Sequence, residues 1–537
     1  MDSKRKKFTV DVDDDVVVDR ISELPEDVSQ HILSFLPTKQ VFQSTLLSTR
    51  WKHVWTTFPI LKFDKTSVLW SSEKKNDPEV KIKRRNFYKF LNKCLRLRSR
   101  QSQRPQIKNF TLEVSVQNHK SKSRVDRWIR FAVKSNVEEL ILFFGGSRIR
   151  YPLPHGVLAA KSLTVLTLHY LKLDSIRSDI NLPSLKRLSL LGVSADNQII
   201  QNLIFGCPMI EDMGISCCRG IKCLKIFGLP KVMKILVQNN HLDRLELEAS
   251  NLHDLCINEG RLSELNLLPL RNLKKLYIST PIVTEKWLDH NLSGLPLLEN
   301  LELVFCYMLE GIKLSSHHHL KSLGLMRCQN LVEVMIDSSK LCRLSYSGNT
   351  AISFSLNASG LLDAEYTMWS SYGPWDAAKI EFLSKMGDSK VFKLSIIVIQ
   401  DVIIPKELRE TLPSPLYNVK HLKLSIPPPL TRYKIKELLD GLLWISPLPD
   451  MLVIESCRES DPDFDKVAFE FSYRKPIYKE ENPSCCKFLP FPCWRHCLET
   501  VKIESLKGHV DREILYKYFS ENAKTLENFQ FHVGGIA

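Results

Sequence analysis

The chain has 537 residues, and its 75 lysine and arginine side chains outnumber 60 aspartate and glutamate side chains, which gives a formal net charge of +15. Because no apolar run reaches the roughly 18 residues that a membrane-spanning helix needs, the sequence excludes a transmembrane receptor. An acidic tract at residues 11–19 stands where a secretion signal has its apolar segment, so we expect the 14 cysteines to be reduced in a nuclear or cytoplasmic protein.

The head of the chain follows helical spacing, after a tail at residues 1–17 that we predict to be disordered. A first helix begins near Pro25, ends at Pro37 and has an apolar face formed by Val28, Ile32 and Phe35. A later helix has an apolar face formed by Leu47, Trp51, Val54 and Trp55. Three short helices bury only a small core, so we expect an apolar face that binds a partner.

The net positive charge is concentrated between residues 51 and 150. This segment holds 24 basic and 8 acidic side chains, whereas residues 151–537 hold 44 and 43. We predict a basic linker and helix at residues 65–104, with an inward face formed by Phe87, Phe90, Leu91, Cys94 and Leu95. The segment has no recognised module for reading bases, so it favours a solvated surface or an acidic protein partner over nucleic acid.

An apolar triplet spaced L-x-x-L-x-L recurs through the middle of the chain, for example at 163–168, 252–257 and 298–303. Its alternation places side chains on one side of a short strand, and stacked copies bury a face that one strand cannot bury alone. The triplets recur every 22 residues in places and every 10 or 11 between residues 210 and 273. We therefore predict leucine-rich-repeat coils with a second short strand on the return side, spanning residues 105–412.

The position between the last two apolar residues of a triplet is predicted to face outward. We predict that one concave side is formed by the triplets that begin at 242, 262, 298 and 320. On that side the candidate binding residues are Glu246, Asn266 and Glu302. Tyr277 is predicted to lie on the return side. The mixed chemistry of these positions favours a protein partner. The sequence does not decide whether a small molecule also binds in the concavity.

The cysteines are interpreted as structural. Cys218, Cys306 and Cys328 stand three residues after a triplet, where a small buried residue turns the chain. A second cluster comprises Cys485, Cys486, Cys493, His496 and Cys497. It has enough ligands for zinc but lacks paired C-x-x-C spacing, so we predict packing and no metal site. The histidines at 317–319 are predicted to form an exposed loop.

Three segments of the head resemble an F-box: DRISELP at 19–25, ILSFLPTK at 32–39 and STRWKHVW at 48–55. The rest is similar to plant F-box proteins with leucine-rich repeats and a C-terminal FBD domain, at residues 127–132, 137–140, 497–503 and 515–527. The resemblance implies an α/β protein with a short all-helical F-box at 18–64, a leucine-rich-repeat solenoid at 105–412 and an FBD-like domain at 413–537.

The resemblance also implies a function, that of the substrate-recognition subunit of a Skp-cullin-F-box ubiquitin ligase. The F-box would dock on a Skp-type adaptor and through it a cullin, while the repeats hold a protein substrate through Glu246, Asn266 and Glu302. The implied adaptor-binding residues are Leu24, Pro25, Ile32, Leu33, Leu36, Pro37, Val41, Leu47, Trp51 and Trp55. No catalytic residue, cofactor or membrane contact is implied, and a non-degradative interaction scaffold is the alternative.

Overall fold

The computed structural model describes residues 24–64, 78–100, 105–114, 116, 119–145, 150–174, 180–315, 319–369, 374–397, 402–456, 464–474, 484–489 and 492–534. Several predicted features lie outside these residues: the tail at 1–17, most of the first F-box segment, parts of the basic linker, and His317 and His318. The chain divides into two compact units, Met1–Ala195 with Phe205–Pro208 and Asp196–Ile204 with Met209–Ala537. No helix in the described ranges has both the length and the apolar character needed to cross a membrane.

The first unit combines short helices with a parallel sheet. Its helices are α1 (Glu26–Ser34), α2 (Thr38–Gln43), α3 (Thr49–Thr57), α4 (Pro78–Ser99) and α5 (His119–Lys134). Its strands are β1 (Ile60–Phe63), β2 (Asn109–Glu113), β3 (Glu139–Phe143), β4 (Tyr151–Pro152), β5 (Val165–His169), β6 (Leu171–Lys172) and β7 (Arg187–Leu191). Strands β1, β2, β3, β5 and β7 pair in parallel in that order, and β4 pairs with β6.

The first three helices form the predicted helical head around a small apolar core. Pro25 and Pro37 immediately precede α1 and α2, where a missing backbone N–H costs no helical hydrogen bond. Ser48 caps α3 by accepting a hydrogen bond from the backbone N–H of Trp51 at 3.3 Å. The buried apolar side chains of these helices are Leu33, Val41, Trp51, Val54 and Trp55.

Helix α4 packs against this head through the face predicted from its sequence. The ring of Phe90 lies 5.4 Å from that of Phe42, which in turn lies 5.3 Å from that of Trp55. Arg98, only 1% exposed, donates hydrogen bonds to the backbone carbonyls of Trp55 at 2.9 Å and Phe58 at 2.7 Å. The end of α4 therefore satisfies carbonyl groups at the end of α3.

Replacing Arg98 by alanine is expected to lower the free energy of unfolding by about 2–4 kcal/mol, because two buried carbonyl groups lose their donor and a cavity opens beside Trp55. The exposed Arg96 on the same helix is the matched control. Arg96→Ala should change the free energy of unfolding by less than about 0.5 kcal/mol. Denaturant titration followed by tryptophan fluorescence compares the variants, and equal stabilities would contradict this role.

The second unit is a long array of strands with intervening helices. Its helices are α6 (Asn197–Phe205), α7 (Glu285–Leu292), α8 (Ala377–Ser384), α9 (Lys406–Thr411), α10 (Ile435–Ile445), α11 (Trp494–Cys497) and α12 (Arg512–Asn522). Its strands are β8 (Asp212–Ser216), β9 (Cys223–Ile226), β10 (Lys234–Gln238), β11 (Arg244–Leu247), β12 (Asp254–Asn258), β13 (Lys275–Ser279), β14 (Asn300–Val304), β15 (Gly311–Leu314), β16 (Ser322–Met326), β17 (Glu333–Asp337), β18 (Arg343–Ser347), β19 (Ser353–Asn357), β20 (Asp363–Met368), β21 (Val391–Ile396), β22 (His421–Ile426), β23 (Met451–Ser456), β24 (Lys466–Tyr473), β25 (Leu498–Ser505) and β26 (Asn528–Val533).

These strands form a main sheet and two short return sheets. In the main sheet β8, β10, β12, β13, β14, β16, β18, β20, β21, β22 and β23 pair in parallel in that order. β24 then runs antiparallel to both β23 and β25, and β26 is parallel to β25. On the return side β9 pairs with β11, and β17 pairs with both β15 and β19.

The predicted domain boundary at residues 412 and 413 does not coincide with a change in this sheet. Strands β21 and β22 lie on either side of it and pair in parallel, as the repeats before them do. The strand direction changes only between β23 and β24. The boundary at 412 and 413 stays a prediction.

One part of the predicted repeat register is wrong. The sequence predicts the triplets that begin at 242 and 262 on the main side, but Arg244–Leu247 is the return strand β11 and Arg244 bridges to Glu264. Tyr277, assigned to the return side, lies on β13 in the main sheet. Both sides carry the same triplet, so the apolar spacing alone cannot tell them apart.

Candidate functional site

The head module exposes an apolar face next to its buried core. Six large apolar side chains between residues 28 and 47 are 40–86% exposed, namely Val28, Ile32, Phe35, Leu36, Leu46 and Leu47. They lie on α1, in the turn after it, and around the 3₁₀ turn Ser44–Leu46 that precedes α3. Single exposed apolar residues are ordinary, whereas six in one small module are a candidate binding surface. We call these six residues the apolar face.

The predicted adaptor-binding residues divide between this surface and the core. Pro25, Ile32, Leu36, Pro37 and Leu47 are exposed, and Leu24 is half-buried. Leu33, Val41, Trp51 and Trp55 are at most 6% exposed. These four residues belong to the core of the free head, and their direct contact with an adaptor stays a prediction. Sequence reasoning placed Val28 and Phe35 on a helix face but left them out of the site, and it gave no signal for Leu46.

A second candidate surface is a row of side chains across the main sheet of the second unit. In-register positions on successive strands are Gly214, Leu236, Cys256, Tyr277, Glu302, Gly324, Ser345, Glu365, Lys393, Lys423 and Val453. They alternate along each strand with the buried apolar residues, so they occupy the opposite face of the sheet. We call this set the central row.

The middle of the central row places an aromatic, an acidic and a small residue side by side. Tyr277 is the register partner of Glu302, and Glu302 is the partner of Gly324. Burial raises the pKa of the Tyr277 phenol, so this hydroxyl stays protonated and can donate a hydrogen bond. A Cβ atom at Gly324 would lie 3.2 Å from Cγ of Glu302, so a larger side chain would displace this carboxylate.

Two of the three predicted substrate residues lie on the return side instead. Glu246 and Asn266 line a groove of about 610 Å³ together with Trp287. Glu246 forms ion pairs with Lys225 at 3.2 Å and with Arg244 at 2.9 Å. Glu302 belongs to the central row, so the prediction of one surface containing all three residues is wrong.

Comparison with known families distinguishes the helical head from the repeats that follow it. Residues 21–63 match the F-box domain, and residues 100–269 and 262–384 match the At1g61320/AtMIF1 LRR domain. Together the two LRR matches span more than half of the chain. The chain belongs to the plant F-box/LRR-repeat proteins. The last residues of the F-box match, Ile60–Phe63, are strand β1, which pairs with β2 in the sheet of the first unit.

Relatives of this F-box/LRR-repeat protein come from Arabidopsis thaliana. One F-box/LRR-repeat protein is 34% identical over 200 residues, covering 36% of this chain and 36% of the relative. Another is 27% identical over 304 residues, covering 53% and 59%. An F-box/FBD/LRR-repeat protein is 28% identical over 305 residues, covering 53% and 61%. The chain spans about half the length of the curated relatives it matches.

One solved structure is also similar, the functional domain of InlJ from Listeria monocytogenes, which is described as including a cysteine ladder. The superposition has a TM-score of 0.32 at 15% sequence identity, and it covers 64% of this chain and 84% of that one.

The turn cysteines of the F-box/LRR-repeat protein are buried free thiols, as predicted. Cys306 and Cys328 are 0% and 2% exposed, and each Sγ lies within hydrogen-bonding distance of backbone carbonyls. A hydrogen bond with Cys328 and burial both raise the pKa of the Cys306 thiol. Burial keeps reagents away from both sulfurs, and a thiol that solvent does not reach reacts slowly.

Alkylation should therefore distinguish Cys306 and Cys328 from Cys217, which is exposed. In the native protein, iodoacetamide is expected to modify Cys217 at least about tenfold faster than either turn cysteine. Peptide mass spectrometry over a time course measures the three rates. Comparable rates in the native state would refute the structural role, and comparable rates after denaturation are the control.

The C-terminal cysteine cluster is more closely assembled than its sequence spacing predicts. Cys485, Cys486, Cys493 and His496 each place a ligand atom within 4.8 Å of the other three. Cys497, the remaining member, directs its Sγ to the backbone carbonyl of Cys493 at 3.4 Å, and burial raises the pKa of its thiol to about 11. The prediction of ordinary packing for the whole cluster fits Cys497 and does not describe the other four residues.

Proposed function

We propose that this F-box/LRR-repeat protein is the substrate-recognition subunit of a Skp-cullin-F-box ubiquitin ligase. The observation that carries the proposal is the apolar face, because it lies on the module that matches the F-box domain and leaves six large apolar side chains accessible. Covering such a surface by a Skp-type adaptor removes apolar area from water at about 25 cal/mol per Å². The adaptor in turn connects the chain to a cullin.

We further propose that the central row binds a protein substrate. One half of the row offers Leu236 and Tyr277, and the other half offers Glu365, Lys393 and Lys423. Lys393 lies 3.7 Å from a carboxylate oxygen of Glu365, so charges of both signs lie side by side there. Apolar and aromatic residues followed by charges of both signs suit a protein surface, whereas a phosphate backbone calls for a continuous positive stripe.

In this proposal the chain performs no chemistry. It holds the substrate close to the ubiquitin-charged enzyme recruited by the cullin, which raises the effective concentration of the two reactants and orients them. We assign no catalytic residue and no cofactor to the chain. Its specificity then depends on the central row, and its activity depends on the apolar face.

Affinity purification of the full chain from plant cells tests the proposed function. We expect a Skp-type adaptor and a cullin to copurify with the wild-type chain. We also expect proteins bound through the repeats to accumulate when the chain is depleted or the proteasome is inhibited. Recovery of neither adaptor nor cullin would overturn the ligase assignment. Copurification with unchanged half-lives of the bound proteins would instead establish the non-degradative scaffold.

Charge reversal on the two sides of the repeats tests where the substrate binds. Glu302→Arg alters the central row, and Glu246→Arg alters the return groove with the same change of charge. We expect the first variant to lose at least about tenfold in substrate recovery and the second to retain it, with the adaptor bound in both. Loss only in the Glu246→Arg variant would transfer the substrate site to the groove.

A further inference from the structure

Four potential ligands converge at the segment that leads into strand β25. The Sγ of Cys485 lies 3.0 Å from Nε2 of His496 and 3.8 Å from Sγ of Cys486. The Sγ of Cys493 completes the group, in which every pair of ligand atoms lies within 4.8 Å. Cys486 and Cys493 are buried, His496 is half-buried and Cys485 is exposed. The cluster is thus closed on the protein side and accessible from one side.

These distances fit a tetrahedral metal site. With Zn–S bonds of about 2.3 Å and Zn–N bonds of about 2.0 Å, neighbouring ligand atoms are roughly 3.5–3.8 Å apart. The observed separations lie on both sides of this range, so small side-chain rotations suffice to equalise them. Three thiol ligands and one imidazole form a set that structural zinc sites use.

The backbone around the cluster is arranged as it is around a metal thiolate. The N–H of Cys493 donates to Sγ of Cys486 at 3.2 Å, which is a hydrogen bond that stabilises a thiolate ligand. The N–H of His496 donates to the carbonyl of Cys493 at 3.0 Å, and this turn holds the two ligand atoms within 4.8 Å of each other. None of the three cysteines forms a disulfide, so all three sulfurs are available as ligands.

We propose that Cys485, Cys486, Cys493 and His496 bind one zinc ion. The site would fasten the 3₁₀ turn Ser484–Cys486 to helix α11, and therefore to the beginning of β25. Because α11 is a single turn and the 3₁₀ turn has three residues, neither is stable alone, and a metal supplies the missing stabilisation. The role of the ion is structural, since all four positions of the tetrahedron are filled by protein ligands.

Metal analysis of the full chain, purified without chelator, tests this site. We expect about one zinc ion per chain by inductively coupled plasma mass spectrometry. After exchange, Co²⁺ should give the intense ligand-field absorption of tetrahedral coordination and a charge-transfer band for three thiolates. A protein that lacks zinc and gives no tetrahedral Co²⁺ spectrum would overturn the proposal, as would a disulfide among these cysteines in freshly isolated protein.

Two variants separate ligands from neighbours. Cys493→Ser should weaken zinc retention against a competing chelator by at least about 100-fold, because it removes a ligand. Cys497→Ser, four residues away, should retain zinc like the wild type, since this thiol is not one of the four converging ligands and points to the backbone carbonyl of Cys493. Equal zinc retention by the two variants would contradict the ligand assignment. The Co²⁺ spectrum of the wild-type chain decides the matter even if Cys493→Ser fails to fold.

Discussion

Replacing Phe35 and Leu47 together by glutamate is expected to abolish binding of a Skp-type adaptor and to leave the fold intact. The two side chains are 75% and 72% exposed, so the free protein loses little packing when they are changed. In the complex they would be buried, and each charged replacement would need to be desolvated without a partner. Since a central interface residue contributes about 2 kcal/mol or more, the affinity should fall at least about 100-fold.

Two further variants identify the cause of that loss. Ile82→Glu makes the same kind of change at an apolar side chain that is 58% exposed on α4, outside the apolar face, and it should bind normally. Trp51→Ala should also lose binding, but because the head unfolds. Trp51 is only 6% exposed, so this change should lower the free energy of unfolding by about 3–5 kcal/mol. Calorimetry measures affinity and denaturant titration measures stability. Normal adaptor binding by the double glutamate variant would remove the apolar face from the interface.

Replacing Glu259 by alanine is expected to destabilise the repeats by about 3–5 kcal/mol. Glu259 is fully buried, and its Oε1 accepts hydrogen bonds at 2.8 Å from both the backbone N–H and the side-chain amide of Asn240. Its Oε2 accepts another from the backbone N–H of Leu242 at 3.1 Å. Alanine leaves these three donors without an acceptor, and each buried unsatisfied donor costs about 1–3 kcal/mol.

The matched control for this prediction lies five residues along the chain. Glu264 makes an ion pair with Arg244 at 3.1 Å, but its side chain is 63% exposed. Glu264→Ala should therefore change the free energy of unfolding by less than about 1 kcal/mol. Glu259→Gln should lose an intermediate amount of stability. Its amide oxygen still accepts hydrogen bonds, but its NH₂ group faces a donor. Urea titration monitored by circular dichroism compares the three variants, and equal stability of Glu259→Ala and Glu264→Ala would contradict the buried network.

The elements that the sequence predicts well are those whose apolar spacing directly reflects burial. The triplets become strands because their alternating residues face the interior, and the inward face of α4 follows its helical spacing. The same spacing does not show whether an apolar face is covered by the rest of the chain or left exposed. Val28 and Ile32 recur along α1 at the same four-residue spacing as Trp51 and Trp55 along α3, yet only the second pair is buried.

The register of the repeats was predictable from a signal other than the triplet. Asn240, Cys306 and Cys328 stand two residues after the ends of the main strands β10, β14 and β16, and Cys218 keeps the same interval after β8. Counting from these turn residues places Glu246 on the return side and Tyr277 on the main sheet. The sequence groups Cys485, Cys486, Cys493, His496 and Cys497, but without paired C-x-x-C spacing it does not show which of the five converge.

Hydrogen exchange of the full chain, with and without a purified Skp-type adaptor, tests whether the head recruits the ligase while the repeats remain free for a substrate. We expect slower exchange of backbone amides at residues 28–47 in the complex, with unchanged exchange on strands β13, β14 and β16. The double glutamate variant at Phe35 and Leu47 should show no such protection. Protection on these three strands, or none at residues 28–47, would refute this division of roles.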